Sequence, residues 1–215
     1  MSEIKVNDYK DIISDVYVYG LDEAIKASKY PMSTDVDKCT SEITDRTRQL
    51  GNVDTGTGHD NFLKGIVVQF DWKFTPKLSV EVERYHFIDF VSSQSTMHKI
   101  TKFDLDKAYI KYVDKRCIDV IKEKVEEYNK LSTMVTTSDL DSTIKHTELL
   151  KEKYLEILYS NPCGIFLTAR MTTNYQQLKT IYQQRRNHRL PEWQWYCDWI
   201  ENLPHFKELC LTNDK

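Results

Sequence analysis

The sequence predicts an α+β fold, with a small antiparallel sheet and long helices in a single domain of residues 1–215. Stretches with helical spacing of apolar residues outnumber stretches rich in β-branched and aromatic residues. The length of 215 residues suits one domain with a sizeable core. A hydrophobic fraction of 40% and a charged fraction of 29% are ordinary for a folded globular chain.

The first half of the chain divides into five stretches. Tyr9–Gly20 mixes apolar and polar residues without a clear period. Residues 21–30 predict a helix that a proline ends, and the sparsely apolar stretch Thr34–Leu50 predicts an exposed helix. Three glycines between Gly51 and Gly58 predict a loop. Gly65–Phe74 is rich in Val and aromatic residues, which predicts a strand.

The second half is predicted to be mostly helical. Thr75 followed by Pro76 is typical of a helix start, because the threonine hydroxyl can cap and proline is pre-set for the first turn. The apolar spacing predicts four further helices and one polar connection from Ser132 to Ser142; the helices are Asp104–Ser132, Leu140–Tyr159, Thr172–His188 and Glu192–Glu201.

Composition excludes several classes of protein. A net charge of −3 provides no overall field that favours nucleic acid or anionic lipid. Every apolar stretch is far shorter than the ~20 residues of a membrane helix, and the polar start of the chain lacks the apolar region of a signal peptide, so a cytoplasmic protein is expected. Five scattered cysteines without a C-x-x-C pair predict buried, reduced thiols and no metal site.

Three segments concentrate side chains that could form a site. His59-Asp60-Asn61 follows the glycine-rich loop, and Arg84–His98 packs an arginine, two histidines, three serines and a glutamine into one turn-rich stretch. Such donors suit a phosphate or a pyrimidine edge, although hydroxyls in a surface loop can equally cap the backbone. The third segment, Thr172–Arg189, places polar side chains along one helix side and arginines near its end, where they could bind phosphate or merely complement the helix dipole.

The arginines are followed by tryptophans, which leaves a further alternative. Basic and aromatic residues from Arg185 to Trp199 could bind single-stranded nucleic acid. Tryptophans at helical spacing are, however, usually core or interface residues. The sequence therefore ranks nucleic-acid binding lowest.

In combination, the three segments resemble the flavin-dependent thymidylate synthase family, the thymidylate synthase complementing proteins, from roughly residue 20 to 202. Residues 59–63 are similar to the family's His-x-Thr-Pro-Phe segment. Residues 85–87, seven residues and then Ser95 are similar to its Arg-His-Arg, seven residues and Ser. A third stretch is similar to the family's Asn-x-x-x-Leu, Arg and Gln-Trp-Glu stretch. It runs from Asn174 through Leu178 to Arg185 and is followed by Glu-Trp-Gln at residues 192–194.

The resemblance implies the family's fold, chemistry and assembly. The implied reaction is the reductive methylation of dUMP to dTMP with FAD, NADPH and methylene-tetrahydrofolate, in a homotetramer whose site lies between subunits. It implies that the stretches around His59, His86 and Asn174 converge, across neighbouring copies of the chain, on one crevice. The residues it assigns to the flavin are His59, Asn61, Arg84, His86 and Asn174, and those it assigns to the nucleotide substrate are Ser92, Gln94, Ser95 and Arg185, with Arg185 also polarising the pyrimidine.

The chain departs from the family at the residues that hold phosphate. Tyr85 and Phe87 replace the arginines that flank the signature histidine, although a slip of one residue would place Arg84 on the first. Met97 and Leu158 occupy the positions of two phosphate-binding arginines. The sequence thus leaves two hypotheses, a divergent flavin-dependent thymidylate synthase or a catalytically altered protein that binds a nucleotide or a flavin on the same scaffold.

Overall fold

A computed structural model describes residues 2–134 and 140–211, without the side chain of residue 140. These residues form two compact units. Of the described residues, unit 1 contains 2–74, 78–93 and 168–211, and unit 2 contains 75–77, 94–134 and 140–167. No helix of the described residues is long and apolar enough to cross a membrane. The single domain of residues 1–215 stays a prediction.

Unit 1 is built on a five-stranded antiparallel sheet, which confirms the predicted α+β class. The strands stand in the order β1-β2-β3-β5-β4 and are β1 (Glu3–Val6), β2 (Ile13–Tyr19), β3 (Val67–Phe74), β4 (Asp89–Ser93) and β5 (Leu167–Asn174).

Nine helices occur in the described residues. They are α1 (Leu21–Ala27), α2 (Asp45–Gly51), α3 (Pro76–Val82), α4 (Thr96–Lys99), α5 (Lys115–Thr133), α6 (Leu140–Ser160), α7 (Tyr175–Arg185), α8 (Pro191–Ile200) and α9 (Phe206–Cys210). Short 3-10 turns occur at Tyr30–Met32, Val36–Lys38, Asn61–Gly65 and Ile100–Lys102.

The core of unit 1 lies between one face of the sheet and the helices α7 and α8. The strand predicted at Gly65–Phe74 is present as β3, and its side chains alternate, so that Phe70 and Trp72 point into the core. The Trp72 ring stacks on Tyr196 of α8 at 4.3 Å between centroids, and Phe70 meets Trp199 at 4.6 Å. Since these α8 rings are buried, they offer no surface on which nucleic-acid bases could stack.

Unit 2 is organised around the pair of long helices α5 and α6. Helix α5 begins at Lys115, because the side chain of Asp114 accepts a hydrogen bond from the Arg116 amide at 2.9 Å and caps the first turn. Ion pairs join the two helices, including Lys124 with Glu156 at 2.9 Å. A small separate core fills the unit, formed by Ile100, Leu105, Ala108, Ile121, Val125, Ile157 and Ile165.

Several predicted boundaries are wrong. Most of Thr34–Leu50 is irregular, with its only α-helix beginning at Asp45, whereas Tyr9–Gly20, for which no element was predicted, contains strand β2. The helix predicted from Asp104 begins eleven residues later, and the one predicted from Thr172 is strand up to Asn174. Of the predicted connection at 132–142, residues 135–139 lie outside the described residues, while residues 132–133 belong to α5 and residues 140–142 to α6.

The cysteines follow the prediction only in part. All five are free, but burial holds for Cys197 and Cys210 alone, since Cys117 and Cys163 are exposed and Cys39 is half-buried. Burial raises the pKa of the Cys197 thiol to about 12. The buried thiols therefore act as apolar core residues at neutral pH.

Candidate functional site

A recess of about 270 Å³ lies in unit 1 at the amino end of α7. We call it the α7 recess. Its lining is mostly polar, with one cation and one exposed aromatic ring. The lining residues are Thr55, Gly56, Gly58, Asn61, Lys64, Phe87, Asn174, Gln176, Gln177 and Thr180.

The glycine-rich loop forms one wall of the α7 recess. Gly56 and Gly58 have φ angles of +96° and +81°, a region that favours glycine. Thr55 at the loop tip donates a hydrogen bond to the Gln183 side chain of α7 at 2.9 Å. The loop is thus tied to the helix whose amino end it adjoins.

A buried ion pair fixes the base of this loop. The Lys179 ammonium lies 3.0 Å from the Asp60 carboxylate, and neither side chain is exposed. The same ammonium donates to the carbonyl oxygens of Gly51, at 2.8 Å, and Val53. Because a buried charge is costly unless it is paired and hydrogen-bonded, this network holds the loop at a defined distance from α7.

The amino end of α7 contributes the opposite wall. Asn174 is the N-cap, and its side-chain oxygen accepts a hydrogen bond from the Gln177 amide at 2.9 Å. Gln176 in the first turn donates to Asp60 at 2.8 Å. The amide groups and dipole at a helix amino end favour a negatively charged ligand, and Lys64 adds a full positive charge.

Arg185, at the other end of α7, lies in a separate cluster. Its side chain is only 14% exposed and pairs with Glu81 of α3 at 3.0 Å. Its Nε donates to the Tyr85 hydroxyl at 2.6 Å. The guanidinium also lies over the Trp193 ring, 5.1 Å from its centroid.

Glu81 is the centre of this cluster. The carboxylate oxygen Oε2 that pairs with Arg185 also accepts a hydrogen bond from the Trp193 indole at 3.2 Å. His188 approaches the same oxygen at 3.3 Å. A carboxylate therefore lies directly against the arginine that the family resemblance assigns to the pyrimidine.

The structure brings together some of the predicted site residues. Asn61 and Asn174 line the α7 recess. His59 and His86 are exposed and do not line it, but their neighbours Gly58 and Phe87 do. The three stretches around His59, His86 and Asn174 thus reach one recess within a single chain.

The other predicted residues lie elsewhere. Arg84 is exposed beside the Arg185 cluster and lines no part of the recess. Ser92 is exposed on β4, opposite Arg170 of β5. Gln94 and Ser95 belong to unit 2.

Sequence reasoning missed Glu81, Lys179 and Gln176. Lys179 had a readable signal, because it sits between the core positions Leu178 and Tyr182 on the apolar side of α7. A lysine in such a stripe is rarely buried unless it is paired. For metals, the described residues contain no cluster of three His, Cys, Asp or Glu that could hold an ion.

Comparison with known proteins finds a relationship through structure alone. No family model and no curated protein matches the sequence. Two solved structures of the flavin-dependent thymidylate synthase ThyX from Helicobacter pylori, both with FAD and dUMP, match with a TM-score of 0.57 at 14% identity. One match covers 99% of this chain and the other 93%, and each covers 100% of the ThyX chain. The chain has the fold of a flavin-dependent thymidylate synthase.

This match confirms the sequence resemblance at the level of the fold. On the flavin-dependent thymidylate synthase scaffold, the present chain combines a polar recess at the amino end of α7 with an Arg185 that is paired to Glu81. The first feature suits an anionic ligand, whereas the second adds a negative charge beside the arginine.

Proposed function

We propose that this chain binds a flavin dinucleotide of the FAD type at the α7 recess, on a scaffold whose nucleotide-methylating centre is altered. The observation that carries the proposal is the convergence of the glycine-rich loop, Asn61 and the Asn174 cap at the amino end of α7. The choice of FAD as the ligand rests on the two ThyX structures of the same fold, which contain FAD and dUMP.

The chemistry of the recess fits such a ligand. Lys64 and the amino end of α7 favour phosphate, and the side-chain amides of Asn61 and Gln177 can hydrogen-bond to a ring or a ribose. Phe87, 65% exposed, offers a face for stacking. Ligand pockets usually measure about 300–1,000 Å³, so this recess takes the phosphates or one ring and the rest of the dinucleotide extends beyond it. A bound flavin would supply hydride chemistry, and these residues would bind and orient it.

The Arg185 cluster does not fit a deoxyuridylate bound as the family resemblance implies. Glu81 engages the guanidinium at 3.0 Å, and its carboxylate would oppose the negative charge that develops on a pyrimidine ring polarised by Arg185. Tyr85 and Phe87 supply no positive charge in place of the family's arginines. The scaffold is therefore proposed as catalytically altered.

The second candidate is the full family reaction, the methylation of dUMP to dTMP with NADPH and methylene-tetrahydrofolate. The dUMP in the neighbouring structures and the presence of Arg185 favour it. Incubation of the purified protein with FAD and the three reactants, followed by chromatography for dTMP, distinguishes the two candidates. Formation of dTMP that depends on Arg185 would overturn the altered-centre part of the proposal.

FAD titration of an Asn174→Asp variant tests the proposed binding. Aspartate also caps helices well, so this variant retains α7, but it places a negative charge in the recess. We expect FAD to bind the native chain and to bind the variant about tenfold or more weakly, because phosphate and carboxylate repel each other. Flavin fluorescence and visible absorption measure both affinities.

Asn187→Asp provides the matched control, since Asn187 is exposed beyond the other end of α7 and does not line the recess. It should bind FAD as the native chain does. A native chain that does not bind added FAD, or equal affinities in the two variants, would contradict binding at the α7 recess.

A further inference from the structure

A second recess, of about 290 Å³, lies in unit 1 between the end of α1 and the start of α2. We call it the α1–α2 recess. Three cations and no carboxylate occur among its lining residues, which are Ser28, Lys29, Met32, Ser33, Lys38, Cys39, Thr40, Thr44, Arg46, Thr47 and Leu50. In a chain of net charge −3, this is a local concentration of positive charge.

Internal hydrogen bonds shape this recess. Lys29 donates to the carbonyl oxygen of Thr40 at 2.8 Å and to its hydroxyl at 3.0 Å, which closes the irregular segment over the end of α1. The Thr47 hydroxyl, 1% exposed, lies 3.0 Å from that of Thr44 and 3.5 Å from that of Ser28. A connected set of hydroxyl groups thus borders the cavity independently of any ligand.

Two of the cations are free to reach a ligand. Within the part of the chain that the structure describes, no residue accepts a hydrogen bond from the exposed guanidinium of Arg46. Lys38 pairs with Asp35 at 3.1 Å, but the lysine side chain is 84% exposed. An exposed ion pair of this kind contributes little to stability, so Lys38 can leave Asp35 and pair with the phosphate of a ligand.

We propose that the α1–α2 recess binds a small organic phosphate, a phosphomonoester dianion carried on a compact apolar body. Arg46 presents a planar fork of donors that matches phosphate oxygens, and Lys38 and Lys29 add positive charge. Met32 and Leu50 contribute the apolar part of the lining against which the body of the ligand packs. This inference does not depend on the flavin proposal, since the two recesses share no lining residue.

Calorimetric titration with phenyl phosphate at constant ionic strength tests the inference. Saturable binding to the native chain is expected, with inorganic phosphate binding more weakly because it lacks the apolar body. Arg46→Gln should weaken phenyl phosphate binding by about tenfold or more, since a charged hydrogen bond to phosphate is lost. Arg189→Gln is the matched control, because Arg189 is exposed after α7 and lines neither recess.

Three results would overturn the inference: no saturable binding, equal loss in the two arginine variants, or displacement of phenyl phosphate by FAD. The last result would assign the anion to the α7 recess and leave the flavin proposal standing. If the native chain did not bind FAD but bound phenyl phosphate in a manner that depends on Arg46, the flavin proposal would fail and the inference about the α1–α2 recess would stand.

Discussion

The pairing of Arg185 with Glu81 determines what this arginine can bind. Its Nε and one terminal nitrogen are engaged by Tyr85 and Glu81, in a cluster where both charged side chains are less than 20% exposed. An anionic ligand must displace or tolerate the carboxylate. The acidic residue Glu81 on α3 thus competes with any ligand for this arginine.

Glu81→Gln should convert Arg185 into an anion-binding residue. The amide retains an acceptor for the Trp193 indole but removes the negative charge beside the guanidinium. We expect affinity for dUMP to rise about tenfold or more, because a charged hydrogen bond becomes available to the ligand. Equilibrium dialysis measures the change, and Glu83→Gln, an exposed neighbour, should leave it unaltered. Equal dUMP affinity in all three proteins would show that Glu81 does not control Arg185.

Lys179, in the middle of the same helix, acts through structure rather than contact with a ligand. It neutralises Asp60 and holds two loop carbonyl groups, all without exposure to water. Replacement by Met would leave the Asp60 carboxylate buried without its cation.

Lys179→Met should therefore reduce the free energy of unfolding by about 3–5 kcal/mol, the usual cost of breaking a buried ion pair. The double variant Lys179→Met, Asp60→Asn should recover part of this loss, because no unpaired charge remains buried. Urea unfolding monitored by tryptophan fluorescence measures both effects. A double variant less stable than Lys179→Met would indicate that the charge of Asp60 is not the source of the loss.

At the level of elements, the close approach of α2 and α9 requires glycine at position 51. A Cβ atom on Gly51 would lie 2.0 Å from the carbonyl oxygen of Leu209, and no side-chain movement can relieve a backbone contact. Arg48 of α2 also pairs with Glu208 of α9 at 2.7 Å. The two helices are thus joined by both packing and charge.

Gly51→Ala should force α2 and α9 apart and lower stability by about 1–3 kcal/mol, as overpacking usually does. Since Gly51 also accepts the Lys179 hydrogen bond, FAD affinity should fall with it. Thermal unfolding and FAD titration measure the two effects, and Gln49→Ala, at an exposed position of the same helix, is the control. A fully stable Gly51→Ala variant would contradict the packing described for α2 and α9.

The elements that were predicted correctly are those whose structure follows from a local sequence pattern. Strand β3 alternates strictly between core and outer face, so its pattern was readable. In β2, a register shift between Ser14 and Tyr17, with Asp15 at a φ of +50°, breaks the alternation. Strand β4 is exposed along its whole length and exists because it pairs with β5, a non-local contact that no local pattern encodes.

The candidate site, like the strands, was predictable only in part. Order and spacing of the motifs identified Asn61 and Asn174, which do share a recess. The pairing of Arg185 with Glu81 was not predictable, because the two residues lie 104 positions apart and meet only in the folded chain. A sequence motif shows which residues are present, but it does not show which of them are paired with another side chain in the folded chain.

The whole molecule has the fold of a flavin-dependent thymidylate synthase, on which we propose a flavin-binding recess and an altered nucleotide centre. Both features occur within unit 1 of one chain. The homotetramer and the cytoplasmic location stay predictions from the sequence.

Amide hydrogen exchange of the full chain with and without FAD tests the central claim most directly. We predict slower exchange on addition of FAD in residues 53–61 and at the start of α7, where the loop and the helix amino end form the α7 recess. Segments far from the recess in unit 1, such as β1, should exchange at unchanged rates. Unchanged exchange throughout the chain, or protection that spares residues 53–61 and the start of α7, would contradict the account.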